Sequence, residues 1–256
     1  MAEAKKKKIV AAGTGEEVKA GSRKKATVKK QAAPVGNATG LRVGAIVLWL
    51  AALGFEFLAW FVFIGKINLT FLPAIPLLIV FLVLDLACVI IGSQLWKKAN
   101  HIKPASEKNK FLFWLWNNMG LIVCAIAFVP FIILALTDKK ADKKTKAIAT
   151  VAAVIALLIG GVTSIDYNPV SAEQQQAAKE AIEGNVLWAP FGKKYHIDET
   201  CQALNQSETL TEGTVEEAIA AGRTKLCAFC AKRNDIEGVV TDQNVDDVEL
   251  EDTTEE

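Results

Sequence analysis

Met1 to Gly40 contains no aromatic residue, and Asn234 to Glu256 contains no basic one. The first absence leaves the N-terminal segment too little apolar surface to offset the entropy of ordering, and predicts a disordered arm over residues 1–42. The second, in a stretch holding ten acids, predicts a disordered acidic tail over residues 234–256. No strand is expected ahead of Gly13 and Gly15, so these glycines do not read as a phosphate loop. A net charge of one sign is also missing, since 29 basic and 28 acidic side chains leave +1. That balance is the sum of a basic head, with eleven Lys or Arg against three Glu in Met1 to Arg42, and the acidic tail, so it says nothing about partners. A cleavable signal is not expected either, because the first apolar run follows a long polar segment and lacks a short core with a small-residue cleavage site.

What the chain has in excess is apolar length. Hydrophobic residues make up 52% of it and the mean hydropathy is +0.27, which an ordinary cytosolic enzyme carrying 22% charged residues would not show. An apolar helix of about 18 residues or more crosses the roughly 30 Å hydrocarbon layer while satisfying its own backbone. Residues 43–65, 74–96, 111–136 and 147–165 meet that length and do not alternate polar and apolar faces at the helical period. They predict an all-α membrane domain of four spans, residues 43–165, in a multi-pass cell-membrane protein of bacterial type.

Orientation follows from lysine and arginine, which are retained on the cytoplasmic side in short connections. The head and the five lysines of Lys97 to Lys110 belong inside, and Lys66 to Pro73, with one, belongs outside. The five lysines of Asp138 to Lys146 oppose this arrangement. Four crossings from an inside N-terminus nevertheless place both termini in the cytoplasm. The head lysines Lys5 to Lys8, Lys24, Lys25, Lys29 and Lys30 read first as an orientation signal, with binding to anionic lipid or nucleic acid as the alternative.

Two acids interrupt the spans. Glu56 lies about 13 Å from the outer end of the first and Asp85 about 16 Å from that of the second, so an antiparallel hairpin brings them to one depth. An ionised carboxylate there costs about 3 kcal/mol or more unless it is protonated, paired or hydrated. No Lys, Arg or His lies within the spans to pair with either. Two readings stand: neutral acids hydrogen-bonded across helices, or a relay or ion path in a small ion- or proton-coupled transporter. Asn117 and Asn118 read as interhelical hydrogen-bonders. Ala152, Ala156, Gly160 and Ser164 recur at every fourth position and predict one face of close helix approach.

Beyond a linker over residues 166–185, a compact unit is expected over residues 186–233. It carries three of the five cysteines and one of the two histidines, as His196-x4-Cys201-x25-Cys227-x2-Cys230. A Cys-x2-Cys pair offers two thiolates one metal's width apart, and a second pair of soft ligands completes a zinc tetrahedron. Thr214 and Glu217 have capping-box spacing for a helix that Gly222 would end. Redox cycling of Cys227 and Cys230 is the competing chemistry, but it leaves His196 and Cys201 unused.

The residues Gly192-Lys193-Lys194-Tyr195-His196, Asp198, Cys201, Leu204, Glu217-Ala218, Gly222-Arg223 and Leu226-Cys227-x2-Cys230 carry a resemblance. The unit resembles the small metal-binding module of adaptive-response DNA-repair methyltransferases, and similar units at the ends of bacterial membrane and competence proteins. The resemblance covers about 48 of 256 residues and implies a small α+β zinc-stapled fold with His196, Cys201, Cys227 and Cys230 as ligands. It does not extend to methyl transfer, because in the repair proteins all four ligands are cysteines and one is the methyl acceptor, whereas here His196 takes the first position.

One nitrogen and three sulfurs would close the zinc shell, leaving no site for water, so the metal is expected to be structural and no catalytic residue is assigned. Six bases and six acids between Asn185 and Arg233 give no positive footprint for phosphate. Beyond the lipid bilayer, a protein partner or self-association is therefore expected rather than nucleic acid, in a binding or regulatory protein.

Overall fold

The computed structural model describes residues 7–18, 36–70, 72–244 and 246. Lys5, Lys6, Lys24, Lys25, Lys29, Lys30 and the end of the acidic tail lie outside them. The chain divides into two compact units, the first comprising Ala38–Ala99 and Asn109–Tyr167, and the second residues 7–18, 36–37, 100–108 and those from Asn168 onward.

The first unit is built from helices α1 (Ala38–Phe63), α2 (Ala74–Ile102, whose last turn belongs to the second unit), α3 (Lys110–Asn117), α4 (Met119–Thr137) and α5 (Lys143–Ser164). Of these, α1, α2, α4 and α5 are long and apolar enough to cross a membrane. Val47, Leu50, Val83, Ile126, Leu158 and Val162 are each more than half exposed, which in water would be an aggregating surface and in a bilayer is the lipid-facing one. This is a multi-pass membrane protein with four spanning helices.

Several helix ends differ from the sequence expectation. These are the start of the first helix, at Ala38, the end of the second, at Ile102, and the start of α5, at Lys143; the third apolar run is also split where Asn118 leaves helical geometry (φ −104°, ψ 15°). Asn117 and Asn118 donate to the carbonyls of Phe113 and Trp114, one turn back in their own helix, at 2.9 Å each. Short polar side chains find such local backbone partners easily, and so compete with the helix ladder here.

The small-residue face packs as expected. A Cβ at Gly160 would stand 2.7 Å from the Cys124 sulfur, and one at Gly120 would meet the Ser93 hydroxyl, so α5 approaches α4, and α4 approaches α2, as closely as glycine permits. Ser164 donates to Ser93 at 3.0 Å, and Ser93 to the Val89 carbonyl at 2.7 Å. At one end Trp49, Trp96 and Trp116 stack in sequence, with ring centroids 5.2 and 5.1 Å apart, and the Arg42 guanidinium lies over Trp116 and Trp96.

The second unit is α+β. It contains β1 (Lys8–Ala11), α6 (Ala172–Ala181), β2 (Val186–Trp188), β3 (Lys194–Tyr195), a 3-10 turn (Gln202–Leu204), β4 (Thr209–Gly213), α7 (Val215–Ala220), β5 (Lys225–Leu226) and α8 (Ala228–Arg233). One sheet has the order β1-β4-β2, with β1 parallel and β2 antiparallel to β4, and a second pairs β3 with β5 in parallel. Thr214 and Glu217 make the expected capping box of α7, and Gly222 takes the left-handed conformation (φ +83°) after it.

Three segment assignments need correction. The arm expected to be disordered over residues 1–42 supplies β1, whose Ile9 is buried in the module core. Composition averaged over the segment hides a four-residue strand that needs only one buried apolar side chain and a free edge on β4. Because a strand does precede Gly13 and Gly15, these glycines sit in its turn, where Gly15 (φ +68°) donates to the Ala11 carbonyl and Val10 bridges Glu17. The linker over residues 166–185 contributes Val170, Ala178 and Ile182 to the same core. The tail expected over residues 234–256 begins folded: Ile236 and Val239 pack on the core, and Thr241 bridges Leu226.

The connection after α2 also ties into this unit. Ala172 donates to the Ala105 carbonyl at 3.0 Å, and Glu173 accepts from the Glu107 amide and the Ser106 hydroxyl. The segment before the first span, the connection between the second and third, and the module after the fourth therefore fold into one compact unit. Single cysteines introduced at the exposed Thr14 and Glu237 should react together with an impermeant maleimide in sealed vesicles of one orientation and be protected together in the other. Labelling of only one would contradict the shared sheet.

A candidate metal centre in the C-terminal module

Two short parallel rungs position the site. Lys194 and Tyr195 of β3 pair with Lys225 and Leu226 of β5, and the Cys227 amide donates to the Tyr195 carbonyl at 2.9 Å. The residue following each strand, His196 on one side and Cys227 on the other, thus falls at the same level. His196 is fixed further by reciprocal 2.7 Å backbone bonds with Leu187 of β2. Cys227 is the N-cap of α8, and Cys230 lies one turn inside that helix. Cys201 precedes the 3-10 turn, which brings it under the other three.

The ligand atoms of His196, Cys201, Cys227 and Cys230 all lie within 4.8 Å of one another, and all four residues are buried. Cys201 Sγ is 3.8 Å from Cys227 Sγ, and Cys230 Sγ is 3.8 Å from His196 Nδ1. A disulfide would need about 2.05 Å, and the three cysteines are free thiols. A zinc tetrahedron with Zn–S bonds of about 2.3 Å and Zn–N of about 2.05 Å has sulfur–sulfur edges of about 3.8 Å and sulfur–nitrogen edges of about 3.5 Å, so the first measured edge fits and the second lies within a few tenths of an ångström.

Electrostatics follow from this crowding. Hydrogen bonds from Cys201, then Cys230 and His196, hold the Cys227 thiol far below its ordinary range. The reciprocal bonds push Cys201 and Cys230 upward. The amides of Ile197 and Asp198 donate to Cys230, and that of Ala203 to Cys201, which favours their thiolates. Burial opposes the Lys194 ammonium. Its bond to Asp242 and the charges of Cys227 and Cys201 outweigh that and raise its pKa.

Asp242 was not expected in the site. It accepts from the Ala228 amide at 2.7 Å and pairs with Lys194, so it clamps the start of α8 to β3. It lay in a stretch that reads as solvated tail, and only its distance of 15 residues after Cys227 hinted at a return to the module. Arg223 likewise reaches back to the Ala189 carbonyl at 3.2 Å and to Pro190. The other sequence candidates, Glu56 and Asp85, belong to the first unit.

In comparisons with known proteins, no family model, curated protein or solved structure matches this chain. The likeness to the repair-protein module thus has no support beyond the residues that carry it, and the four-residue cluster stands on its own geometry. Alkylation of Cys201, Cys227 and Cys230 in the native protein should be slow and should accelerate at least tenfold after treatment with a strong chelator. Equal rates with and without chelator would mean that no metal holds these thiols.

Proposed function

We propose that this protein is a membrane-embedded binding or regulatory component that displays a module stapled by one structural zinc ion on the cytoplasmic side. The convergence of one imidazole nitrogen and three thiol sulfurs at tetrahedral spacing carries the zinc assignment. Soft sulfur donors with an imidazole favour zinc over calcium or magnesium, which take oxygen ligands. Zinc would be bound by Cys201, Cys227, Cys230 and His196 Nδ1, and its binding would add to the folding free energy of the module. Four protein ligands leave no coordination site for a water molecule, and this supports a structural rather than an enzymatic role.

The cytoplasmic placement rests on the lysine and arginine bias of the head and of Lys97 to Lys110. A protein partner or a second copy of the chain is favoured over nucleic acid, since Asp242 adds an acid to a module already without positive excess. The purified full-length protein should contain close to one zinc per chain by elemental analysis, and Cys227→Ser should lower this at least tenfold. A wild-type content below half an equivalent, or a content unchanged by the substitution, would defeat the assignment.

A second reading, a small ion- or proton-coupled transporter, is favoured by one observation, the fully buried Asp85 within a span. Flux in proteoliposomes that disappears on Glu56→Gln would establish it over the scaffold reading. Flux indistinguishable from empty liposomes would remove it.

A further inference from the structure

Asp85 is completely buried at the middle of α2, on the face that also carries Val89 and Ser93. Neither of its carboxyl oxygens has a hydrogen-bond partner among the described residues. The titratable groups within electrostatic reach are Glu56 on α1, Cys88 on α2 itself and Cys124 on α4. None is a cation, and the nearest lysine along α2, Lys97, is about 18 Å away along the axis. Glu56 is placed differently: it is only partly buried and accepts a hydrogen bond from the Phe131 amide. That residue follows Pro130, which lies inside α4 and cannot donate to the helix ladder.

Two neighbouring carboxyls with such unequal surroundings sort into unequal charge states. The one with a donor tolerates ionisation. The one with neither a protein donor nor a counter-ion is costly to keep as an anion in hydrocarbon. A metal ion does not answer the need, because a hard cation such as calcium takes about six to eight oxygens and the pair offers four at most. Among the described residues, the one group of three or more metal-ligating side chains that converges is in the module.

We propose that the buried carboxyl of Asp85 is an intramembrane proton-binding site, the proton being carried on Asp85 itself. The claim concerns binding and stands whether or not the protein moves a solute.

Infrared difference spectroscopy on the full-length protein in lipid nanodiscs tests it. At neutral pH the wild type should show the carbonyl band of a protonated carboxylic acid, shifted in heavy water, absent in Asp85→Asn and retained in Glu56→Gln. Absence of the band from the wild type, or its persistence in Asp85→Asn, would overturn the proposal. Dicyclohexylcarbodiimide, which adds to protonated carboxyls in apolar surroundings, needs no variant and should label Asp85 of the wild type, as located by mass spectrometry. No label on Asp85, or labelling abolished by sodium chloride at constant pH, would equally overturn it, the latter by identifying a cation as the occupant.

Discussion

The module depends on the meeting of four buried ligand atoms that have little to offer one another. Three thiols and an imidazole are poor mutual hydrogen-bond partners, yet His196, Cys201, Cys227 and Cys230 are held together with exposures of 0 to 3%. A cation at their centre would turn this crowding into four bonds. Much of the rest of the unit serves that meeting: the β3–β5 rungs level His196 with Cys227, the turn at Gln202–Leu204 raises Cys201, and Asp242 pins the start of α8. The apolar core around them is assembled from every part of the unit, including Ile9 near the N-terminus and Ile182 ahead of β2.

A shared sheet also constrains the membrane part. Parallel pairing of β1 with β4 joins a strand before the first span to one after the fourth, which requires an even number of crossings. The four long apolar helices provide it. The connection Asp138 to Lys146 carries five lysines. Those from Lys143 onward lie in the first turn of α5, where Asp142 caps the helix through the Lys144 and Thr145 amides.

The spans were legible because bilayer thickness imposes a length that few soluble segments match. The His196, Cys201, Cys227 and Cys230 spacing was legible because metal geometry restricts which residues can share a centre. The capping box of α7 was legible because it is local. What was missed depends on pairing between distant segments. Lys8–Ala11 is too short to register as a strand until β4 offers it an edge, and Asp242 looks like one acid among many until Lys194 faces it. Asn118 reads as a bonding residue within a span, whereas its amide turns back to Trp114 and the helix breaks there.

X-ray absorption at the zinc edge of the purified full-length protein reaches the central claim most directly, because it sees the ligand atoms themselves. The expected shell is one nitrogen at about 2.0–2.1 Å and three sulfurs at about 2.3 Å. A shell dominated by oxygen, or one with fewer than three sulfurs in protein that carries zinc, would contradict the assignment of His196, Cys201, Cys227 and Cys230.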